Sequence, residues 1–131
     1  MHSPKFVKKE DVIRIHSELI SEYGGSLGIR DEGFLDSAIY QAQATFGGEL
    51  LHPTILEQAA AYLFHITNNH AFVDGNKRTA FAVMVTFLNE NNYEINMAQE
   101  EAYELTIQVA ENNISKEELT AILKNYITEI I

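Results

Sequence analysis

His70-Ala71-Phe72-Val73-Asp74-Gly75-Asn76-Lys77-Arg78-Thr79-Ala80 is a short polar loop between two long apolar runs. Upstream, Leu56, Ala59, Ala60, Leu63 and Ile66 recur at helical spacing toward Asn68-Asn69-His70. Thr54, with Glu57 three residues on, supplies a capping box for that helix. Downstream, from about Asn76 to Asn91, Ala80, Phe81, Val83, Met84, Val85, Phe87 and Leu88 point in all directions. That pattern predicts a central helix buried on most sides. The loop therefore joins two long helices, and the rest of the fold is expected to pack around the second of them.

Four further helices follow from the same reasoning. The first spans about Lys9 to Tyr23, with Val12, Ile13, His16, Leu19, Ile20 and Tyr23 on one face and Gly24 as its stop. Asp31 is a good N-cap for the second, whose apolar face is Phe34, Leu35, Ala38, Ile39 and Ala42. The fifth lies within Ala98–Asn112. The sixth opens at the Ser115/Glu118 capping box and is expected to reach the C-terminus through Leu119, Ile122, Leu123, Tyr126, Ile127 and Ile130. Strand signal is confined to a few residues around Phe6-Val7, Leu50-Leu51 and Tyr93–Ile95. The expected class is all-α, a compact six-helix bundle forming a single domain over residues 1–131.

Composition narrows the function. With 46 % hydrophobic residues and no repeat or low-complexity run, the chain is a folded globule. Nine basic against nineteen acidic residues leave a net charge of −10, which argues against a nucleic-acid or anionic-membrane surface. Cysteine is absent, which suits a reducing cytosol. Met1-His2-Ser3-Pro4-Lys5-Phe6 lacks the apolar core of a signal peptide, and no segment is long and apolar enough to span a bilayer, so a cytoplasmic protein is expected.

The loop itself carries chemistry. Gly75 permits a tight turn and close approach to a ligand. Free N–H groups at the start of the following helix, near Asn76, Lys77 and Arg78, form an anion site aided by the helix dipole. Lys77 and Arg78 add full positive charge within an acidic chain, Arg78 as a bidentate fork. Asp74 can hold a Mg²⁺ that bridges phosphate oxygens. His70 can take a proton near neutral pH. Phe72 reads as an anchor that pins the loop into the core. The expected site is a nucleotide-phosphate pocket with a general base.

Other candidates read as structural. His16 lies on the apolar face of the first helix, as a packed core histidine. His65 and His70 are five apart, roughly 140° around a helix, and make no metal face. There is no His-Glu-x-x-His, no Cys/His cluster and no Walker-type Gly-rich run, so neither a structural zinc nor a P-loop is expected. Tyr23-Gly24-Gly25 reads as a helix stop and turn.

The segment His70 to Arg78 resembles the signature His-x-Phe-x-Asp/Asn-Gly/Ala-Asn of the Fic/Doc family. Its continuation Lys77-Arg78-Thr79-Ala80 is similar to the Doc branch. Tyr23-Gly24-Gly25 and Gly28-Ile29-Arg30-Asp31-Glu32-Gly33 are similar to the turn and second-helix start of Doc-type proteins. The resemblance implies catalytic roles for His70, Asp74 and Lys77, with Gly75, Asn76, Lys77 and Arg78 holding a nucleotide and Asp74 the metal. ATP and Mg²⁺ are the implied co-substrate and cofactor. It further implies a toxin of a toxin–antitoxin pair, inhibited in trans by an antitoxin protein and acting on a translation factor such as elongation factor Tu. In this family the stretch between the second and third helices is a flap, here Gly47, Gly48, Glu49, Leu50 and Leu51 within Phe46–Pro53, whose strand edge can pair with a target. An ordinary interhelical connection is the alternative.

Three sequence details bear on the reaction. AMP-transferring Fic proteins typically continue Gly-Asn-Gly-Arg-x-x-Arg; here Lys77 replaces the second glycine and Phe81 the final arginine. The Doc-branch lysine goes with transfer of the γ-phosphate, which implies a protein kinase. Nucleotidyl transfer by the same base is one alternative, and a catalytically weak nucleotide- or peptide-binding module another. Asn68-Asn69 precede His70 where the Doc branch carries an arginine. Finally, Thr86-Phe87-Leu88-Asn89-Glu90-Asn91 matches the inhibitory Ser/Thr-x-x-x-Glu-Gly/Asn pattern of many Fic proteins. Glu90 nevertheless lies twelve residues after Arg78 on one helix, about 18 Å away, too far to reach its own pocket.

Overall fold

The computed structural model describes residues 3–130; Met1, His2 and Ile131, which the single-domain reading and the N-terminal reading include, lie outside the described residues. Six α-helices run in order: α1 (Lys9–Tyr23), α2 (Glu32–Tyr40), α3 (Ile55–Asn69), α4 (Asn76–Glu90), α5 (Gln99–Ala110) and α6 (Lys116–Leu123). Two small antiparallel pairs join them, β1 (Thr45–Phe46) with β2 (Glu49–Leu50), and β3 (Tyr93–Ile95) with β4 (Ile127–Glu129). The molecule is all-α in class.

The helix starts are where local chemistry puts them. The Asp31 carboxylate accepts the Phe34 N–H at 2.8 Å. Thr54 and Glu57 bond each other's backbone N–H, as do Ser115 and Glu118, so both capping boxes form. Gly24 ends α1 at φ 89°, a left-handed conformation that glycine adopts at little cost, and its N–H returns to Ile20 O at 2.8 Å.

Packing makes α3 the most enclosed helix. Tyr62, Leu63 and Ile66 are fully buried, and α3 touches α2, α4, α5 and α6. α4 lies against it and contributes Ala80, Val83, Met84, Phe87 and Leu88 to the same core. The outer side of α4, with Phe81, Ala82 and Val85, is half-buried, so the centre is shared by the α3–α4 pair. The two helices meet at the His70–Gly75 loop, which fixes its two ends on the stiffest part of the fold.

One expected element differs. α6 ends at Leu123, and Ile127–Glu129 turns back as a strand on Tyr93–Ile95. The Ile122/Tyr126/Ile127/Ile130 spacing suits a helix. However, Tyr93–Ile95 offers a ladder of free backbone groups just after α4, and pairing with it overrides the local preference. Tyr93–Ile95 is thus a strand, and Leu50 belongs to one. Phe6-Val7 is not, and the Val7 N–H donates instead to the buried Tyr62 hydroxyl at 2.9 Å.

Candidate active site

His70 is the residue at which α3 stops. Its backbone is left-handed, φ 51° and ψ 45°, a conformation that turns the chain out of the helix and leaves the side chain exposed. Outside contacts hold this geometry. The Arg30 guanidinium donates through Nε to the His70 carbonyl at 2.9 Å, and the backbone N–H groups of Arg30 and Asp31 both donate to the Ala71 carbonyl, at 2.7 and 3.1 Å. Val73 N–H donates to Gly28 O at 3.0 Å, and Ile29 faces Phe72 in an isolated β-bridge. The segment Gly28–Asp31 therefore runs alongside the loop as a backbone splint. Among the described residues, no hydrogen-bond partner engages the His70 imidazole, which is exposed.

Beneath the loop lies the anchor. Phe72 is 1 % exposed, and its ring stacks on His16 at a centroid distance of 3.9 Å and an interplanar angle of 7°. His16 is buried as expected, but it does more than pack. Its Nε2 lies 2.8 Å from the Asp74 carbonyl oxygen, so Nε2 carries the proton and donates. One buried imidazole thus holds two points of the loop.

Asp74 has both carboxylate oxygens engaged by backbone. Oδ1 accepts the Gly75 N–H at 2.8 Å and Oδ2 accepts the Ser26 N–H at 3.1 Å. Gly25 allows this approach: it sits at φ 114°, and a Cβ there would lie 2.6 Å from Asp74 Oδ2. The carboxylate is exposed, and each oxygen keeps a second lone pair. Among the described residues no group of three acidic or histidine ligands assembles around it. This donor set fits Mg²⁺, which keeps several waters and takes one or two carboxylates together with phosphate oxygens.

Asn76 and Gly75 shape the start of α4. The Asn76 side chain is spent on the loop: Oδ1 accepts the Phe72 N–H at 2.9 Å and Nδ2 donates to the Phe72 carbonyl at 3.0 Å. Its backbone N–H, at the first position of α4, is the donor left over. Gly75 has φ 75°, and a Cβ there would meet the Ile20 side chain at 3.2 Å. No side chain caps α4, and the first helical hydrogen bond is Thr79 N–H to Gly75 O at 3.0 Å. The N–H groups of Asn76, Lys77 and Arg78 consequently have no acceptor within the helix. The Arg78 guanidinium lies 4.5 Å from the Tyr23 ring centroid, and neither Lys77 nor Arg78 joins any ion pair among the described residues. The fold gathers two exposed cations, three free donors, a carboxylate and an imidazole on one rim.

A match to the Fic/DOC family covers residues 6–88, from the segment before α1 to the last turn of α4. The chain belongs to the Fic/Doc family. It is 42 % identical over 91 residues to "Toxin Doc" of Mycolicibacterium smegmatis, covering 70 % of this chain and 68 % of that one. It is 33 % identical over 111 residues to "Protein kinase doc" of Escherichia phage P1, covering 85 % and 86 %. In Fic/Doc terms, the signature loop of this chain is assembled with every backbone carbonyl from His70 to Asp74 except that of Val73 bonded from outside or across the loop.

This Fic/Doc loop is braced by His16, which the sequence shows only as a core histidine, by Gly25 and Arg30, which it shows only as parts of the turn and second-helix start, and by Ser26, which it does not single out. They lie 40 to 58 positions from their partners. The available signal was the Tyr23-Gly24-Gly25 turn, in which a second glycine exceeds what a helix stop needs. The flap region forms a hairpin with Gly47 and Gly48 at its tip, at φ 61° and 83°. Glu49 and Leu50 form its second strand, and Leu51 follows it, its N–H donating to Ala44 O at 2.8 Å. Glu90 lies at the far end of α4 from the loop, consistent with an accidental match to the inhibitory pattern. Asn68 and Asn69 donate to Phe64 O and Phe34 O, at 3.0 and 3.1 Å. No helix among the described residues is long and apolar enough to cross a membrane.

Proposed function

We propose that this chain is a Doc-type toxin that transfers the γ-phosphate of ATP to a Ser or Thr hydroxyl of a protein. The observation that carries the proposal is the uncapped start of α4. Lys77 there is exposed and joins no ion pair among the described residues, and the Asn76, Lys77 and Arg78 N–H groups lack helical acceptors. Phe81, in the position of the second Fic arginine, is packed against the core and offers no cation to an α-phosphate. Charge that develops on a transferring γ-phosphoryl group is what this rim stabilises best.

In the step proposed, the target hydroxyl oxygen attacks the γ-phosphorus while its proton passes to His70. The bond from the γ-phosphorus to the β,γ-bridging oxygen breaks, and ADP leaves. Asp74 would hold Mg²⁺, which screens the phosphate charge when bound. Lys77 and the three N–H groups hold the phosphates, and Arg78 keeps a guanidinium beside them on the Tyr23 ring. The target docks as an extended segment along the flap at Glu49–Leu51, and a translation factor such as elongation factor Tu is the target class. Restraint comes in trans from an antitoxin in the cytoplasm. The names of the two relatives, a toxin and a protein kinase, support this reading.

Incubation with that factor and ATP labelled at either the γ- or the α-phosphate tests it. Label should enter protein from the γ position only, with the target mass rising by one phosphoryl group. Incorporation from the α position would establish nucleotidyl transfer instead.

A further inference from the structure

A second polar cluster lies away from the loop, where α3, α6 and the segment after the flap meet. Lys116 opens α6 and is half-buried, and its Nζ stands 2.9 Å from His65 Nε2 on α3 and 3.3 Å from His52 Nε2. His52 follows β2 and is buried, and its carbonyl accepts from the buried Gln58 side chain at 2.8 Å. An ammonium nitrogen only donates, so each imidazole turns its Nε2 lone pair to Lys116. Two of the three Lys116 N–H groups are thus held by imidazoles, and the third has no hydrogen-bond partner among the described residues. Nor does Lys116 join any ion pair among them.

Beside the amine opens a cavity of about 220 Å³, lined by His52, Glu57, Lys116, Glu117 and Thr120. Burial without a paired carboxylate disfavours a charged amine. The proton affinity of Lys116 accordingly lies below that of an ordinary lysine, with Glu117 opposing the shift from the cavity wall. Burial, and after it the Lys116 charge, bring His65 down to about 4, and burial lowers His52, so both imidazoles are uncharged at neutral pH. When the unpartnered proton leaves, the lone pair takes its direction, and the imidazoles keep the other two N–H groups and fix the amine in place. We propose that Lys116 is a nucleophilic lysine, a site of acylation by an acyl thioester, with His65 as its base. The amine nitrogen attacks the carbonyl carbon, the N–C bond forms and the C–S bond breaks. His65 Nε2 takes one of the two N–H protons and passes it to the departing thiolate. Glu57 and Glu117 on the wall repel a negatively charged donor, which favours a thioester over an acyl phosphate. The amide so formed keeps a single N–H and can serve only one imidazole. The longer bond, to His52, is the one released, and the exit of the flap is unfastened from α6.

Incubation of the full chain with the acetyl thioester of N-acetylcysteamine, an uncharged donor, tests the site, with acetylation of each lysine followed by peptide mass spectrometry. At neutral pH Lys116 should react about tenfold faster than the exposed Lys5 and Lys124. Its rate should also level off at a lower pH than theirs. His65→Gln, which keeps an oxygen acceptor but takes up no proton, should slow Lys116 by about tenfold or more and leave Lys5 and Lys124 unchanged. Thermal unfolding checks that this variant is folded, and His65→Asn replaces it if it is not. Acetyl phosphate should label Lys116 no faster than Lys5. Reaction of Lys116 with the thioester no faster than that of the exposed lysines, a rate indifferent to the His65 variants, or a preference for Lys116 shown by acetyl phosphate alone would overturn the proposal.

Discussion

Two connections leave α3, one at each end, and the fold treats them in opposite ways. The loop after it, His70–Gly75, is strapped by Gly28–Asp31 on one side, pinned by His16 from below and closed on itself by Asn76. The hairpin before it, Thr45–Leu50, is held by its own short pairing and a single bond from Leu51 to Ala44. Phe46 beside its tip is 83 % exposed, and among the described residues a Cβ at Gly47 or Gly48 would meet nothing within 4 Å beyond its chain neighbours. Transfer chemistry needs donors fixed to within about 0.5 Å. A docking strand needs free edge groups and room to adjust. The contrast divides the molecule into a braced loop, where the proposed reaction would take place, and a compliant hairpin, where the proposed target would dock.

The largest break in this division should come at His70. His70→Ala should lower phosphoryl transfer by about 10²–10⁴-fold while leaving nucleotide binding and thermal stability near wild type, because the imidazole has no structural partner. Undiminished growth arrest by this variant would end its assignment as the base. Gly25→Ala comes next. A methyl 2.6 Å from Asp74 Oδ2, on a backbone at φ 114°, must displace the carboxylate or the turn. A stability loss of about 1–3 kcal/mol is expected by denaturant unfolding, together with weakened Mg²⁺-dependent transfer. Asn76→Ala should cost about 1–3 kcal/mol through two lost hydrogen bonds to Phe72, and transfer should fall with it.

Flap substitutions should behave differently. Leu50→Pro should impair modification of the protein target and spare ATP binding, measured separately by labelling and by nucleotide titration. Equal loss of both would make the hairpin a support of the fold. The smallest effect on the fold is expected for Phe46→Ser, within about 0.5 kcal/mol in unfolding, with a reduced rate toward the protein target.

The same contrast explains what the sequence discloses. Asp31, Thr54/Glu57 and Ser115/Glu118 act within three residues, so the helix starts they set are legible along the chain. The signature loop is legible too, since His70 to Arg78 is contiguous and its residue types suit phosphate chemistry. Its bracing is not. His16 reads as core because an apolar face is all the sequence shows, whereas its bond to Asp74 spans 58 positions. Asn76 reads as a phosphate ligand through its backbone N–H; that its side-chain amide closes the loop on Phe72 does not show along the chain. Ile127 reads as helical because its strand partner, Ile95, is far away along the chain.

The left-handed turn at His70 has a further consequence, one of selection. A residue with a Cβ at φ 51° and ψ 45° costs about 1 kcal/mol that glycine, the usual choice one step beyond a helix, would not incur. His70→Gly should therefore match or exceed the wild-type melting temperature while lacking the proposed base. A search for thermostable variants would then favour, at this position, chains that the proposed mechanism makes inactive.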